Sequence, residues 1–456
     1  MSSPDTIAAV STASGQAAIS LIRVSGSESI SIIKKIFKPR GKRAFPLSYS
    51  AYHGDLIDPK TGEIADKVVV TTYLAPKSYT GEHVVEISTH GNAVVVTRVM
   101  SILLATGARA AEAGEFTRRA FINGKMDLLD VEAVSQLLSA QSVSQASIAL
   151  NQLEGLPSAY INKIRDEIIQ QLVQLEASLN FPEDAIEAID EHHLAHRLNE
   201  IYQQLEIFVN NANNGSLVSG GLKLAITGKP NSGKSSILNM LLGKERAIVT
   251  NIAGTTRDTL EENINIGSVP LKLIDTAGIR KPGDEIEALG IERTNASIND
   301  AFAVLGVFDA SSKETTEDLE ILAKLKKLDK PVIYLLNKND LPAKISKQFF
   351  NGLRTISISA KTNDGMVALS KEIETILQER GIKDFDQMVL LTSQQTLALN
   401  KAHSAIKRAC DGIGEIYQDM LAIELEEAVS ELGRIIGETV DLNTLDLIFE
   451  RFCIGK

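Results

Sequence analysis

The sequence predicts a multidomain α/β protein in which an N-terminal α+β domain precedes a helical domain that is interrupted by an inserted α/β domain. Short β-rich runs separated by glycine and proline fill residues 1–120. Helical periodicity dominates 121–216 and returns in 384–456. Between them, 217–383 alternates strands with helices, which indicates a parallel sheet. Because the two ends of a domain usually lie close together, a helical domain tolerates such an insertion.

The first domain is predicted from three strands and two helices. Residues 17–24, 67–73 and 83–88 are β-rich runs bounded by turn residues. Helices are predicted from Ser29 to Phe37 and from Ala93 to Thr106. This mixture is typical of an α+β domain.

The two helical segments are predicted from apolar residues at three- and four-residue spacing. One set begins at Leu128, another at Ile161, and a third runs from Leu397 to Ile436. The run Asn211–Ser216 is rich in turn residues, so it is predicted to be a link into the inserted domain. The two helical segments are expected to pack as one domain.

The inserted domain is predicted to contain four parallel strands and a hairpin. The strands are 222–227, 303–308, 332–336 and 355–358. The hairpin joins two further strands, 261–266 and 270–274, around Gly267-Ser268.

Bulk composition excludes several classes of protein. The chain has 456 residues, 44% of them hydrophobic, which fits several globular domains. A net charge of −11 argues against binding of nucleic acid by the whole surface, although a local basic patch stays open. Two cysteines allow at most one disulfide, which cannot stabilise a chain of this length. No stretch is long and apolar enough to span a membrane, and the N-terminus lacks the pattern of a secretory signal. A cytoplasmic location is therefore expected.

The run Gly228-Lys-Pro-Asn-Ser-Gly-Lys-Ser235 is the strongest motif in the chain. It lies between a predicted strand and a predicted helix, the context in which G-x-x-x-x-G-K-S binds nucleotide phosphates. Glycine lets the backbone turn its N–H groups towards an anion, and the helix N-terminus favours negative charge. Lys234 is predicted to reach the β- and γ-phosphates, and Ser235 to bind Mg²⁺.

Further motifs in the inserted domain indicate that the nucleotide is GTP. Asp340, in Asn337-Lys-Asn-Asp340, can accept hydrogen bonds from guanine N1–H and the exocyclic amine, which adenine does not offer. Ser359-Ala-Lys361 can contact guanine O6. Asp275-Thr-Ala-Gly278 supplies an acid near Mg²⁺. Thr256 can bind Mg²⁺ and sense the γ-phosphate. Together these motifs resemble those of translation-factor-related GTPases, which have a Ras-like P-loop fold.

The residue after Gly278 is Ile279, where many GTPases have the glutamine that orients the attacking water. Asn231 and the carbonyl groups of Thr250–Thr256 can instead hold K⁺ beside the phosphates. Such an ion would occupy the place of an arginine finger, an element worth about 10³–10⁵ in rate. An acid in Asp284–Glu287 is then available to orient the water. The alternative is that Asn231 is only a turn residue and these acids a solvated face.

The predicted nucleotide and cation site takes in many residues of the inserted domain. In chain order they are Asn231, Ser232, Gly233, Lys234, Ser235, Ser236, Thr250, Asn251, Ile252, Ala253, Gly254, Thr255, Thr256, Asp275, Thr276, Ala277, Gly278, Asn337, Lys338, Asp340, Ser359, Ala360 and Lys361.

Beyond these motifs, the chain resembles the MnmE (TrmE) family of tRNA-modification GTPases over essentially its whole length. The resemblance rests on Leu21–Gly26, Tyr79–Glu86, Gly114–Leu128, Phe181–Asp184 and the terminal Phe452-Cys-Ile-Gly-Lys456. It implies that 1–120 is a domain that binds tetrahydrofolate and forms a homodimer. It also implies that Arg23, Glu82, Lys125 and Lys456 contact the folate.

The same resemblance implies the chemistry and the partners. Members of the family work with the flavoprotein MnmG, which carries FAD, in a heterotetramer or larger complex. On tRNA they install an aminomethyl or carboxymethylaminomethyl group at C5 of the wobble uridine. The one-carbon unit comes from 5,10-methylene-tetrahydrofolate, of which 5-formyl-tetrahydrofolate is an analogue.

The resemblance also assigns ions and a catalytic residue in the inserted domain. Glu287 is implied to orient the attacking water. The implied K⁺ ligands are Asn231, Thr250, Ile252 and Thr255, and the implied Mg²⁺ ligands are Ser235 and Thr256.

Other readings stay open at this point. Cys453 is a candidate reactive thiol in the tRNA chemistry, and Cys410 is expected to be plain packing. The histidines of the segment His192-His193-Leu-Ala-His196 are expected on a solvated helix rather than at a metal. A rival function is a ribosome-assembly switch in which GTP only gates association with RNA.

Overall fold

A computed structural model describes most of the chain, in two compact units. The first unit comprises Met1–Ser135, Ser158–Ile189 and Ser404–Lys456, and the second comprises Gln136–Pro157 and Asp190–His403. The described residues are 5–13, 15–41, 44–140, 142–180, 191–219, 221–244, 261–266, 269–275, 298–382, 387–438, 449, 452 and 455.

The first unit is built on a seven-stranded sheet, in the order β3-β4-β5-β6-β2-β1-β7. Only the β1–β7 pair is parallel among these described pairings. All three strands predicted in this region form, as β2, β5 and β6, with bounds that differ from the predicted ones by up to three residues. The bounds are β1 Ile7–Val10, β2 Ile19–Ser25, β3 Phe37–Pro39, β4 Ser50–Ile57, β5 Ile64–Tyr73, β6 Val84–His90 and β7 Arg109–Ala110.

Helices cover both faces of this sheet. On one face, α1 (Ser29–Ile36) and α2 (Ala93–Thr106) bury Ile33 and Leu103 against Ile22 of β2. On the other face, Phe116 of α3 (Glu115–Ile122) packs against residues of β1. Since side chains alternate along a strand, neighbouring residues of β1 and β2 serve different faces.

Helical segments from before and after the inserted domain meet within the first unit. Arg165 of α6 pairs with Glu438, directly beyond α12, and Ser178 of α6 donates a hydrogen bond to Gln418 of α12 at 3.2 Å. These contacts join α6 to the chain around α12 within the first unit, and the split helical domain with boundaries at 121–216 and 384–456 stays a prediction. The helices are α4 Leu128–Ser139, α5 Val143–Leu153, α6 Leu156–Asn180, α7 Glu191–Ser219, α11 Ser393–Gly412 and α12 Gln418–Ile436.

The predicted link at Asn211–Ser216 is wrong, because α7 continues through it. Ala212, Gly215 and Val218 continue the buried face of this helix at three-residue spacing. A Cβ at Gly215 would lie 2.1 Å from the carbonyl oxygen of Val389. The glycine therefore allows a close approach of chain inside a helix rather than a turn.

The second unit contains a six-stranded sheet, in the order β13-β12-β11-β8-β10-β9. Its pairings are parallel except β9–β10, which is the predicted hairpin. Helices α8 (Lys234–Lys244), α9 (Thr316–Lys326) and α10 (Met366–Glu379) follow strands of this sheet. The strands are β8 Leu222–Thr227, β9 Glu261–Ile266, β10 Val269–Asp275, β11 Ala303–Asp309, β12 Val332–Asn337 and β13 Thr355–Ser357.

The described residues bear on three expectations from the sequence, which concern membrane spans, metal sites and Cys410. Among the described helices, none is both long and apolar enough to cross a bilayer. Within the described ranges, no three acidic, histidine or cysteine side chains cluster as a metal site would require, and His196 instead lies near Glu200. Burial, followed by the charge of Asp411, raises the pKa of the Cys410 thiol to about 11. A thiol with so high a pKa is unreactive at neutral pH, which agrees with the expectation that Cys410 is a packing residue.

Asp130 provides a test of burial energetics in the first unit. Burial, and then the charge of Asp127, raises the pKa of Asp130 to about 6, and its Oδ1 atom has no hydrogen bond to the described residues. The folded state therefore favours the protonated acid, and ionisation destabilises it as the pH rises from about 4 to above 6. We expect Asp130→Asn to raise the free energy of unfolding by about 1–2 kcal/mol at pH 7.5.

This gain should shrink as the pH falls and vanish near the ordinary pKa of an aspartate, because the wild-type acid is then neutral in both states. Thermal and urea unfolding at several pH values would measure it. Asp419→Asn, at an exposed first-turn position of α12, is the control and should change little at any pH. An Asp130→Asn gain that is independent of pH would contradict the explanation.

Candidate functional site

The phosphate-loop motif lies where the sequence predicts it, between β8 and α8. The loop turns through left-handed backbone at Gly228 (φ 154°), Asn231 (φ 62°) and Gly233 (φ 96°). Glycine adopts such angles at no steric cost, and asparagine tolerates them better than most residues. The first N–H groups of α8 have no partner within the helix, so the loop ends at a terminus suited to an anion.

Two of the glycines are required by close packing as well as by angle. A Cβ at Gly228 would lie 2.4 Å from the carbonyl oxygen of Val307 in β11. A Cβ at Gly233 would lie 2.0 Å from Nδ2 of Asn337. The loop is thus pressed against the carboxyl ends of the central strands, where α/β proteins of this type bind ligands.

The polar groups of the loop fit a phosphate ligand. Lys234 Nζ donates to the carbonyl oxygens of Gly228 and Lys229, both at 2.7 Å, so its ammonium group lies over the loop. The Ser232 hydroxyl is fully buried and has no hydrogen-bond partner among the described residues. An ammonium group and a helix N-terminus are what a nucleotide diphosphate needs.

Asn337, at the end of β12, joins the phosphate loop to the next recognition segment. Its buried amide nitrogen donates to the Ser232 carbonyl at 3.0 Å, and its Oδ1 atom accepts from the Ala360 N–H at 3.3 Å. Both predicted segments are therefore held by one side chain. Asp275 ends β10, where it pairs in register with Ile226 of β8, so its backbone lies at the same edge of the sheet.

Asp340 and Ser359 are brought together as a guanine site requires. The buried Ser359 hydroxyl donates to Asp340 Oδ1 at 2.7 Å, while Oδ2 has no hydrogen bond to the described residues. Asp340 itself is exposed, so the second oxygen is accessible to a ligand. An adjoining cleft of about 430 Å³ is lined by Ser236, Asn239, Met240, Gly243, Ala360 and Asn363.

Sequence reasoning missed two charged residues that support this site. Asp309 Oδ2 accepts from Lys338 Nζ at 2.5 Å, and Asp318 Oδ2 accepts from Lys229 Nζ at 2.7 Å. Burial would raise the pKa of both acids, but hydrogen bonds from these lysines and from neighbouring residues hold it below the ordinary value. Asp318 also closes a capping box with Thr315 at the start of α9. The position of Asp309 at the end of an apolar strand is the signal that could have identified it.

Part of the predicted site lies outside the described residues. These positions stay predictions: Thr250, Asn251, Ile252, Ala253, Gly254, Thr255, Thr256, Thr276, Ala277, Gly278, Glu287, Cys453 and Lys456.

The predicted folate residue Arg23 lies on the face of the first sheet that α3 covers. Its guanidinium carbon stands 5.2 Å from the ring centre of Tyr79 and 5.7 Å from that of Phe116. Arg23 also pairs with Glu86 of β6 at 2.8 Å, and both side chains are mostly buried. A cation held between aromatic rings and a carboxylate is fixed in direction.

Glu82 and Lys125 lie around the same loop. Glu82 accepts from Ser25 at 2.7 Å, two residues from Arg23 along β2, and pairs with Arg119 at 3.2 Å. A Cβ at Gly81 would lie 3.2 Å from Lys125 Cγ. Arg119 was not predicted from sequence, because its role depends on where α3 packs.

The end of the chain returns to this domain. The Ser11 hydroxyl, which follows β1, donates to the Gly455 carbonyl at 3.0 Å. Ala9 of β1 pairs in register with Arg23, so Gly455 lies close to the strand that carries it. The first unit also has a cleft of about 450 Å³, which contains none of the predicted folate residues. It is lined by Lys35, Asp58, Pro59, Lys60, Arg98, Ser101, Ile102, Ala105 and Thr106.

Comparison with known proteins gives matches along the whole chain. A family model described as the MnmE helical domain matches residues 128–453, and one described as the GTP-binding protein TrmE N-terminus matches 6–125. Proteins named tRNA modification GTPase MnmE are 38% identical in Natranaerobius thermophilus and 39% identical in Clostridioides difficile, over 99% of both chains in each case. That of Lactococcus lactis subsp. lactis is 40% identical, over 99% of this chain and 98% of the relative.

Among solved structures, the G domain of the T. maritima FeoB iron transporter aligns with 34% of this chain and 99% of its own length at 25% identity. Its TM-score of 0.27 is too low for a comparison of folds.

The close approach of Gly233 and Asn337 predicts a strong effect of one added methyl group. We expect Gly233→Ala to weaken GDP binding roughly 100-fold, or about 3 kcal/mol, because the Cβ would displace the buried amide that joins two recognition segments. Titration with a fluorescent GDP analogue would measure this. Gly352→Ala is the matched control: its backbone is also left-handed (φ 75°), but nothing lies within 4 Å of its Cβ position. Equal binding by both variants would contradict this role of packing.

Proposed function

The chain belongs to the MnmE family of tRNA-modification GTPases, and from this premise we propose that it couples GTP hydrolysis to modification of the tRNA wobble uridine. The chain is a GTP hydrolase. The observation that carries the proposal is the buried Asn337 amide, which joins the phosphate loop to the Ser359 segment at one edge of the parallel sheet. A single nucleotide can then contact both.

Guanine specificity is assigned to Asp340. Its carboxylate is oriented by Ser359 and has an oxygen left for the ligand, which suits the two N–H donors on guanine. Ala360 and Lys361 follow at the same edge. The base is expected to lie against the cleft lined by Ala360 and Asn239.

Asp340→Asn tests this assignment. We expect the affinity for GTP to fall about 10–100-fold, because an amide presents a donor to the N–H groups of guanine. Xanthosine triphosphate, which has an oxygen in place of the amine, should gain affinity instead. Binding of both nucleotides is measured by competition. Asp329→Asn, at an exposed position before β12, should bind them as the wild type does, and a loss for both nucleotides in Asp340→Asn would argue against direct base contact.

Hydrolysis is proposed to depend on K⁺, held by Asn231, Thr250, Ile252 and Thr255, with Mg²⁺ held by Ser235 and Thr256. When bound, these ions supply positive charge against the developing charge on the phosphates. Glu287 is proposed to orient the water. The position of Asn231 supports its part, because this exposed asparagine lies within the phosphate loop, where its side chain is accessible to an ion.

Turnover of GTP in different salts tests the cation. We expect hydrolysis in KCl to exceed hydrolysis in NaCl at equal ionic strength by at least about tenfold, since the effect of an arginine finger is larger still. Phosphate release is the measurement. Equal rates in the two salts would overturn the role of K⁺ while leaving GTP binding intact.

The first unit is proposed to bind 5,10-methylene-tetrahydrofolate and to form the homodimer. Arg23 and Lys125 suit the carboxylates of a folate tail, Glu82 suits the N–H groups of a pterin, and Lys456 is proposed to complete the site. The contact of Gly455 with Ser11 supports this, because it brings the end of the chain to the domain that contains Arg23. Cys453 is proposed as a thiol of this chemistry.

The flavoprotein MnmG, with its FAD, is proposed as the partner in a heterotetramer or larger complex that acts on tRNA. Mass analysis of tRNA nucleosides from cells without this protein should show wobble uridines that lack the aminomethyl or carboxymethylaminomethyl group. If the modified wobble uridines were as abundant in these cells as in the wild type, the result would favour the rival, a GTPase switch in ribosome assembly.

A further inference from the structure

Asp318, in the first turn of α9, is bonded to the second residue of the phosphate loop. Its Oδ2 atom accepts from Lys229 Nζ at 2.7 Å, and the two side chains are only 3% and 14% exposed. Burial alone would raise the pKa of Asp318, but the bonds from Lys229 and Thr315 hold it below the ordinary value, so the acid is ionised at neutral pH. A buried ion pair therefore ties the loop to a helix of the same unit.

The same carboxylate oxygen also caps α9. Besides Lys229, it accepts from the Thr315 N–H at 2.9 Å and from the Thr315 hydroxyl at 2.8 Å. The Asp318 N–H donates in return to Thr315 Oγ1 at 3.4 Å, which completes the capping box. Three donors on one oxygen leave the carboxylate little freedom to turn. Asp318 is thus a fixed anchor, and Lys229 is the group that it holds.

The main chain of Lys229 carries bonds that shape the phosphate loop. Its carbonyl oxygen accepts from Lys234 Nζ at 2.7 Å and from the Ser232 N–H at 3.3 Å. In a loop of this kind, the lysine at the position of Lys234 is the one that meets the phosphates. An anchored Lys229 side chain therefore keeps in place the carbonyl group to which Lys234 is bonded.

We propose that Asp318 is a positioning residue that acts through Lys229 on the phosphate loop and so sets how long a bound nucleotide is retained. The inference goes beyond the proposed function, since it concerns the release of GDP and involves neither K⁺ nor tRNA. Without the carboxylate, the Lys229 ammonium group has no other partner among the described residues and turns to water, which frees the loop. The bond between Ser359 and Asp340 is left intact, so the effect falls on the phosphates rather than on the base.

The test is the dissociation of a fluorescent GDP analogue from Asp318→Asn after excess unlabelled GDP is added. We expect the dissociation rate to rise about tenfold, because affinity changes of this kind appear mostly in the off-rate. Competition titrations should show a loss of about tenfold for GDP but of less than about twofold for GMP, which lacks the β-phosphate that Lys234 meets. Adding Asp318→Asn to Lys229→Met should cause no further acceleration, because the acid acts through the lysine. Asp318→Glu, which keeps the charge and a capping residue, should recover part of the retention.

The control is Thr315→Val, which removes the hydroxyl of the capping box but leaves the Asp318–Lys229 pair. It should lower the free energy of unfolding and change the dissociation rate by less than about twofold, since it weakens the helix without freeing the loop. Unaltered dissociation from Asp318→Asn, an equal acceleration by Thr315→Val, or additive effects with Lys229→Met would overturn the inference. A wild type that does not bind the analogue would instead overturn the assignment of the nucleotide site. If Asp318→Asn does not fold, Lys229→Gln removes the other half of the pair and should accelerate release in the same way.

Discussion

The nucleotide site depends on one buried amide. The Asn337 side chain donates to the phosphate loop and accepts from the segment after β13, with 2% of its surface exposed. A buried amide is costly unless both of its ends are paired, so this geometry tolerates little variation. It also explains why the loop has glycine at 233, where any side chain would occupy the place of that amide.

Paired charges surround this amide and fix the loop from the outside. Lys229 is bonded to Asp318 at the start of α9, and Lys338 to Asp309 at the end of β11. Lys229, Asp318 and Asp309 are largely buried, and an unpaired charge in such a position would be strongly unfavourable, whereas Lys338 is partly exposed. The loop therefore rests on a preformed frame, and the ligand does not have to order it.

The first unit uses a different device, in which one sheet serves a core on one face and a polar site on the other. The α1 and α2 face is mostly apolar, whereas the α3 face combines Phe116 with Arg23 and Glu86. Strand alternation produces this division, since Ile22 and Arg23 are adjacent in sequence and point to opposite sides. Arg119 reaches Glu82 only because α3 crosses this second face.

The sequence by itself determined the fold class, three of the seven strands of the first sheet, the six strands of the second sheet and the phosphate-loop motif, because each depends on local periodicity or on glycine at fixed spacing. The tertiary structure alone decided that Asn211–Ser216 is helical, since its turn residues are overridden by a buried face at Ala212 and Val218. It also decided that Asp309 meets Lys338. Their pairing depends on the order in which β11 and β12 lie side by side, and no local pattern of residues encodes a distance across a sheet.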